Sequence, residues 1–309
     1  MLDDPVASAL RAAARFGPYF TWEPWEGDPS WHPLRDLLTP EVVAARVALG
    51  RQTLAGLGGL RPDDLEERAV ASIIFLGLAS RLVSPLVGAA AAGGALPAPD
   101  IDRMWWRQVP GGPIPIAWRD LRTAPESDAA QLLVLVEPIL DVFRERYALS
   151  PRVLWGNVAS ALGGAAGMIA DAAPRIAGAV PGAGTAAGAA VPGAVPGAGT
   201  AAGAAVPGAG LSAEAASGVA GVPGVLAGTG VGVGTAAGRA AAFVEEALRL
   251  PQLRGSGSLV RPDADRERWF LVRANCCLYY RIPGGGTCGD CVLTPEPARR
   301  RQWQAVLNR

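Results

Sequence analysis

Lysine is missing from this 309-residue chain, and all 28 of its basic residues are arginine. A phosphate-cradling P-loop needs its lysine and Schiff-base chemistry needs a lysine amine, so neither is available. Histidine is nearly as scarce: His32 stands alone, between Trp31 and Pro33. A zinc-protease helix needs two histidines, as does a Rieske cluster, and a Ser-His-Asp triad would have to rest on His32. Packing in a Trp/Pro-rich loop is the simpler reading of that residue. An excess of either charge is lacking too, with 28 acidic residues against 28 basic ones. The chain as a whole therefore presents no field for nucleic acid or an anionic membrane surface. The opening MetLeuAspAspProVal carries acids where a secretory leader has a basic region, so no leader is expected.

Cysteine is absent except in one window. Cys276 and Cys277 are adjacent, ten residues follow, then Cys288, two residues and Cys291. A disulfide framework would staple a small fold across its length. Four cysteines clumped in a chain that is 50% hydrophobic read instead as reduced thiolates around a metal, in a reducing cytoplasm. Two metals compete. Structural zinc usually takes two C-x-x-C knuckles, and only Cys288-Gly-Asp-Cys291 is present. Adjacent residues on a strand point to opposite faces, so bringing Cys276 and Cys277 onto one ion needs a kink. A two-iron cluster is a larger target, which favours iron but leaves zinc open. ProGlyGlyGly at 283–286 can turn sharply and offer backbone N–H groups to the sulfurs. A regular hairpin centred there would leave Cys288 roughly 13 Å along the ladder from Cys277, so irregular closure is expected. Residues 251–309 hold ten arginines and five acids, a net +5. Arg273 and Arg281 lie nearest the cysteines. They could raise a cluster's potential or dock an anionic substrate or acidic donor, or simply face solvent.

Elsewhere the patterns are helical. Helices are predicted over 3–16, 39–56, from 62 toward 88, over 131–147 despite Pro138, from Ser150 onward, and over 239–249, with a short one in the tail. Residues 104–118 read as a small hairpin or edge strand, and 269–275 as a strand. The apolar run in the third helix is interrupted at Arg81 and Pro85 before a spanning length of about 20 residues. That indicates a buried core helix, with peripheral membrane contact as the alternative. ValProGlyAlaGlyThrAlaAlaGlyAlaAla occurs at 180–190 and 195–205 and marks a low-complexity insertion without chemistry. The expected fold is mainly α (α+β): a helical scaffold, a few short strands and a small C-terminal iron–sulfur segment. Three regions follow: 1–177 as scaffold and substrate region, 178–238 as insertion, and 239–309 as the cluster-binding region.

The cysteine spacing, set in ArgAlaAsnCysCysLeuTyrTyrArgIleProGlyGlyGlyThrCysGlyAspCys, resembles the FhuF-like ferric iron reductase family. SerProArgValLeuTrpGlyAsnValAlaSer at 150–160 resembles it as well. The resemblance implies a 2Fe–2S cluster on Cys276, Cys277, Cys288 and Cys291. It implies one-electron reduction of ferric siderophores, supplied by an electron donor such as a ferredoxin or reductase. It also implies a cytoplasmic site, with a peripheral contact to the inner membrane or a siderophore importer as an option. The helices would then wall a chelate pocket, for which Trp105, Trp106, Trp155 and Asn157 are candidates beside packing roles. Two rivals remain at this point: a cluster that senses redox or iron, and a zinc-stapled binding module.

Overall fold

Residues 67–92 and 151–178 carry apolar side chains around the whole helical circumference, and such helices have to be buried. The computed structural model describes residues 4–109, 113–124, 128–178 and 234–308, and in it these two segments pack against each other at the centre. In chain order the helices are α1 (Pro5–Ala14), α2 (Pro40–Gly58), α3 (Glu67–Ala92), α4 (Gln131–Tyr147), α5 (Pro151–Gly178), α6 (Ala236–Arg249) and α7 (Glu296–Leu307). α1, α2, α4 and α6 lean on α3, and α6 also on α5. Both α3 and α5 are long and apolar enough to cross a membrane, yet most of each apolar stretch is enclosed by the rest of the molecule. The fold is mainly α, as the patterns indicated. The repeats at 180–190 and 195–205 lie outside the described residues.

The helix starts follow local rules. Asp4 caps α1, its carboxylate accepting from the Val6 N–H at 2.9 Å, with Pro5 in the first turn. α2 opens on Pro40 and stops at Gly59 in the left-handed region.

The helix runs through Arg81 and Pro85 as expected, but these residues do not cut its apolar run short of a spanning length, contrary to expectation. A proline removes the N–H that would bond four residues back, here to the Arg81 carbonyl. The Trp22 indole N–H donates to that carbonyl at 3.1 Å and replaces the lost bond. The Arg81 side chain donates to the carbonyls of Ile114, Pro18 and Thr21 at 2.6, 2.7 and 2.8 Å. Burial holds its pKa down to about 10. A basic residue in an apolar helix thus ties two loops to α3.

Eight short strands occur among the described residues. β1 (Glu23–Pro24), β2 (His32–Pro33), β4 (Met104–Trp106) and β5 (Ile116–Trp118) form a sheet in the order β1-β5-β4-β2. Its centre is the expected hairpin, with Trp105 opposite Ala117. β3 (Pro97–Ala98) pairs with β6 (Arg122–Thr123). β7 (Gly257–Val260) and β8 (Phe270–Arg273) form an antiparallel ribbon, Gly257 opposite Arg273, which lies on α5 and α6. The cysteines follow β8 directly.

Candidate metal centre

α5 is shaped to receive β8. Gly156, Ser160, Gly163 and Gly167 recur at helical spacing and share one face. A Cβ at Gly163 would stand 2.5 Å from Leu271 Cβ, and one at Gly156 would collide with the Asn275 carboxamide. Ser160 Oγ donates to the Asp290 carboxylate, and the Asn275 amide donates to the Arg152 carbonyl. On the outer side Phe270 stacks on Trp303 of α7, ring centres 5.2 Å apart. The strand entering the cysteines is therefore clamped between two helices.

Beyond Arg273 the strand ends. Leu278 adopts φ +69°, and four-residue turns close at Leu278–Arg281, Tyr279–Ile282 and Ile282–Gly285. Gly284 and Gly286, at φ +75° and +70°, make the reversal that other residues resist. A further turn joins the Cys288 carbonyl to the Cys291 N–H at 3.1 Å. The segment is not a regular hairpin, as the distance argument required.

These turns gather the sulfurs. Cys277, Cys288 and Cys291 are buried and cluster together, Cys276 is half-buried, and all four are free thiols. The Cys277 and Cys288 sulfurs are 3.5 Å apart. Backbone N–H groups do reach sulfur, but not from the glycines. Leu278 N–H donates to Cys276 Sγ at 3.3 Å and Leu293 N–H to Cys291 Sγ at 3.4 Å, each from two residues downstream. The hydrogen bond shared with Cys288 holds the Cys277 pKa down against burial, with help from the Arg273 guanidinium and the Tyr279 N–H. That same bond, burial and the Asp290 charge push Cys288 up. Burial raises Cys276, opposed by the Leu278 N–H.

The flanking residues divide. Arg273 is fully buried, with NH2 donating to Asn157 Oδ1 at 2.7 Å and to Asn275 Oδ1 at 3.4 Å. Asn157 in turn donates to the Ser72 carbonyl and hydroxyl, at 2.8 and 2.9 Å. Ser72 Oγ donates to the Cys277 carbonyl at 2.8 Å. Arg273 is therefore no solvent-facing arginine, and fully enclosed Asn157 cannot wall a chelate pocket. Arg281 does reach solvent, where it pairs with Glu66 at 2.8 Å just before α3. Trp106 and Trp155 are buried in the main core, which argues against the pocket role for both. Half-buried Trp105 stacks on Trp25 at 4.0 Å beneath Arg119, away from the cysteine segment. Ser72, Ser160 and Asp290 were not singled out from the sequence. A hydroxyl inside an all-apolar helix is a signal for Ser72, because buried polar groups need partners.

Among the described residues no three His, Cys, Asp or Glu side chains stand around one point as a single-ion site. A two-iron cluster asks for a wider frame, each iron capped by two thiolates. The donor set is all sulfur, sits beside an uncompensated buried cation and accepts backbone N–H bonds, which suits an anionic iron–sulfur group. Fold and site together define a helical iron–sulfur protein. Residues 273–293 match the family described as FhuF 2Fe-2S C-terminal domain. The cofactor of this segment is a 2Fe–2S cluster. No curated protein and no solved structure matches the chain.

Proposed function

We propose that the chain delivers one electron to ferric iron held in a siderophore and so releases it as ferrous iron. The observation carrying this reading is the gathered cysteine set on the FhuF-type segment at 273–293. Ferric iron is hard and tightly held by chelate oxygens, whereas ferrous iron prefers softer donors, so one electron loosens the complex. Bound on Cys276, Cys277, Cys288 and Cys291, the cluster supplies a one-electron carrier. The chain's own residues hold its frame. Ser72 fixes the Cys277 carbonyl, Ser160 fixes Asp290 inside the Cys288–Cys291 turn, and Arg281 with Glu66 pins the loop to the start of α3. Burial of three sulfurs keeps water from them, while half-buried Cys276 leaves one side approachable. The reading implies a cytoplasmic setting, a ferredoxin- or reductase-type donor and a position near siderophore import at the inner membrane.

The test is anaerobic purification with iron and sulfide analysis, then a visible spectrum of reduced protein before and after adding a ferric siderophore. Expected are iron with acid-labile sulfide, and reoxidation of the reduced spectrum as a ferrous trap colours. Cys277→Ser should lose both the cluster and the turnover. A colourless protein carrying one zinc would sink the proposal. Reduced protein indifferent to ferric siderophore, yet changing its affinity for a partner with redox state, would point to a sensor.

A further inference from the structure

Arg273 is the most anomalous charge in the molecule. It is a buried guanidinium with 1% exposure, and among the described residues no carboxylate lies within ion-pair distance. A buried charge without a counterion is strongly disfavoured, so such groups are paired or neutralised. Only its NH2 is bonded, to the neutral amides of Asn157 and Asn275, and its Nε and NH1 find no partner. The nearby acid, Asp290, is directed elsewhere: its Oδ2 accepts from Ser160, while its backbone carbonyl receives the Arg273 N–H at 3.2 Å. The fold thus keeps the two opposite charges apart beside the same sulfurs.

Asn157 explains how. Its Oδ1 accepts from Arg273, and its Nδ2 is committed to Ser72. An amide in that position holds the guanidinium without cancelling it, whereas a carboxylate would neutralise it. Ser72 links the arrangement to the Cys277 carbonyl, so α3, α5 and the cysteine loop share one buried network.

We propose that Arg273 is a positioning and potential-setting residue for the iron–sulfur centre, held uncompensated by Asn157 so that its charge acts at the Cys276–Cys277 side of the cysteine cluster. Two ferric ions, two sulfides and four thiolates sum to a double negative charge, and the entering electron adds another. A fixed cation in a poorly solvated site stabilises the more negative state and raises the midpoint potential. Asp290 acts in the opposite sense. The assignment rests on the cluster, but it is independent of which oxidant accepts the electron.

The experiment is spectroelectrochemical titration of the cluster-loaded full chain, with iron and sulfide content measured for each variant. Arg273→Gln should load the cluster and show a lower midpoint potential than wild type. Arg273→Lys should recover most of the difference, and Asp290→Asn should shift the potential upward. Should Arg273→Gln fail to load, Asn157→Asp places a carboxylate on the retained guanidinium and should lower the potential. Loaded variants titrating at the wild-type potential overturn the assignment and leave the cluster intact as a finding. A wild-type protein with zinc and no sulfide overturns both.

Discussion

Single side chains decide this site more by what they leave unmatched than by what they bond. Among the described residues no carboxylate pairs with Arg273 and no donor reaches Asp290 Oδ1, both within the cysteine neighbourhood. Ser72 is the opposite case, with its carbonyl and hydroxyl used by Asn157 and its proton given to Cys277. Replacing Ser72 by Ala strands the Cys277 carbonyl, and a buried acceptor left without a donor costs about 1–3 kcal/mol. Denaturant unfolding of Ser72→Ala should show a loss of that size, with faster iron release to a chelator; an unchanged midpoint would mean water replaces the hydroxyl. The cysteine spacing made the clustered sulfurs legible, and the misfit of a regular hairpin made the irregular loop legible. Ser72 lies 205 residues from Cys277, and no local pattern connects them. Asn157 had two readings in the sequence because a polar residue among apolar ones can face a pocket or a buried charge, and here it bonds the buried Arg273.

At the scale of elements, α5 acts as a seat for β8. Gly163 and Gly164 are adjacent, yet a Cβ meets Leu271 at 2.5 Å from the first and meets nothing within 4 Å from the second. Gly163→Ala should therefore destabilise by about 1–3 kcal/mol through overpacking and loosen the cluster's hold. Gly164→Ala should be neutral or stabilise by up to ~1 kcal/mol, since alanine favours helix. Equal thermal shifts for the two would discredit the seat. The small-residue spacing on α5 stands in the sequence, but its meaning depends on β8, about a hundred residues later. Helix α3 makes the same point. Pro85 removes one bond of the helix, and the compensating Trp22 lies in a connecting loop far from it in the chain. The helix through Pro85 was readable from the apolar pattern, whereas the donor that replaces its lost bond was not.

For the molecule as a whole, the helical core and the metal site are unequally dependent on the cofactor. α3 and α5 bury their apolar faces against each other and against α1, α4 and α6, without help from the cysteines. Residues 274–295 hold little apolar burial of their own, and metal binding adds stability only where ligands are ordered by it. Removing iron should leave the far-ultraviolet helical signal nearly intact while limited proteolysis cuts between β8 and α7; global loss of helicity would show instead that the cluster supports the core. The span from Ser72 to Cys277 also has a consequence in time. A ribosome adds ~5–20 residues each second, so the cysteines are made roughly 10–40 s after the hydroxyl that will hold them. The Cys277 carbonyl and the Ser72 hydroxyl close a loop of 205 residues, and their meeting must wait until Cys277 has been made. The segments that form α3 and α5 are therefore synthesised before any of the four cysteines, so cofactor insertion follows the synthesis of the central helices.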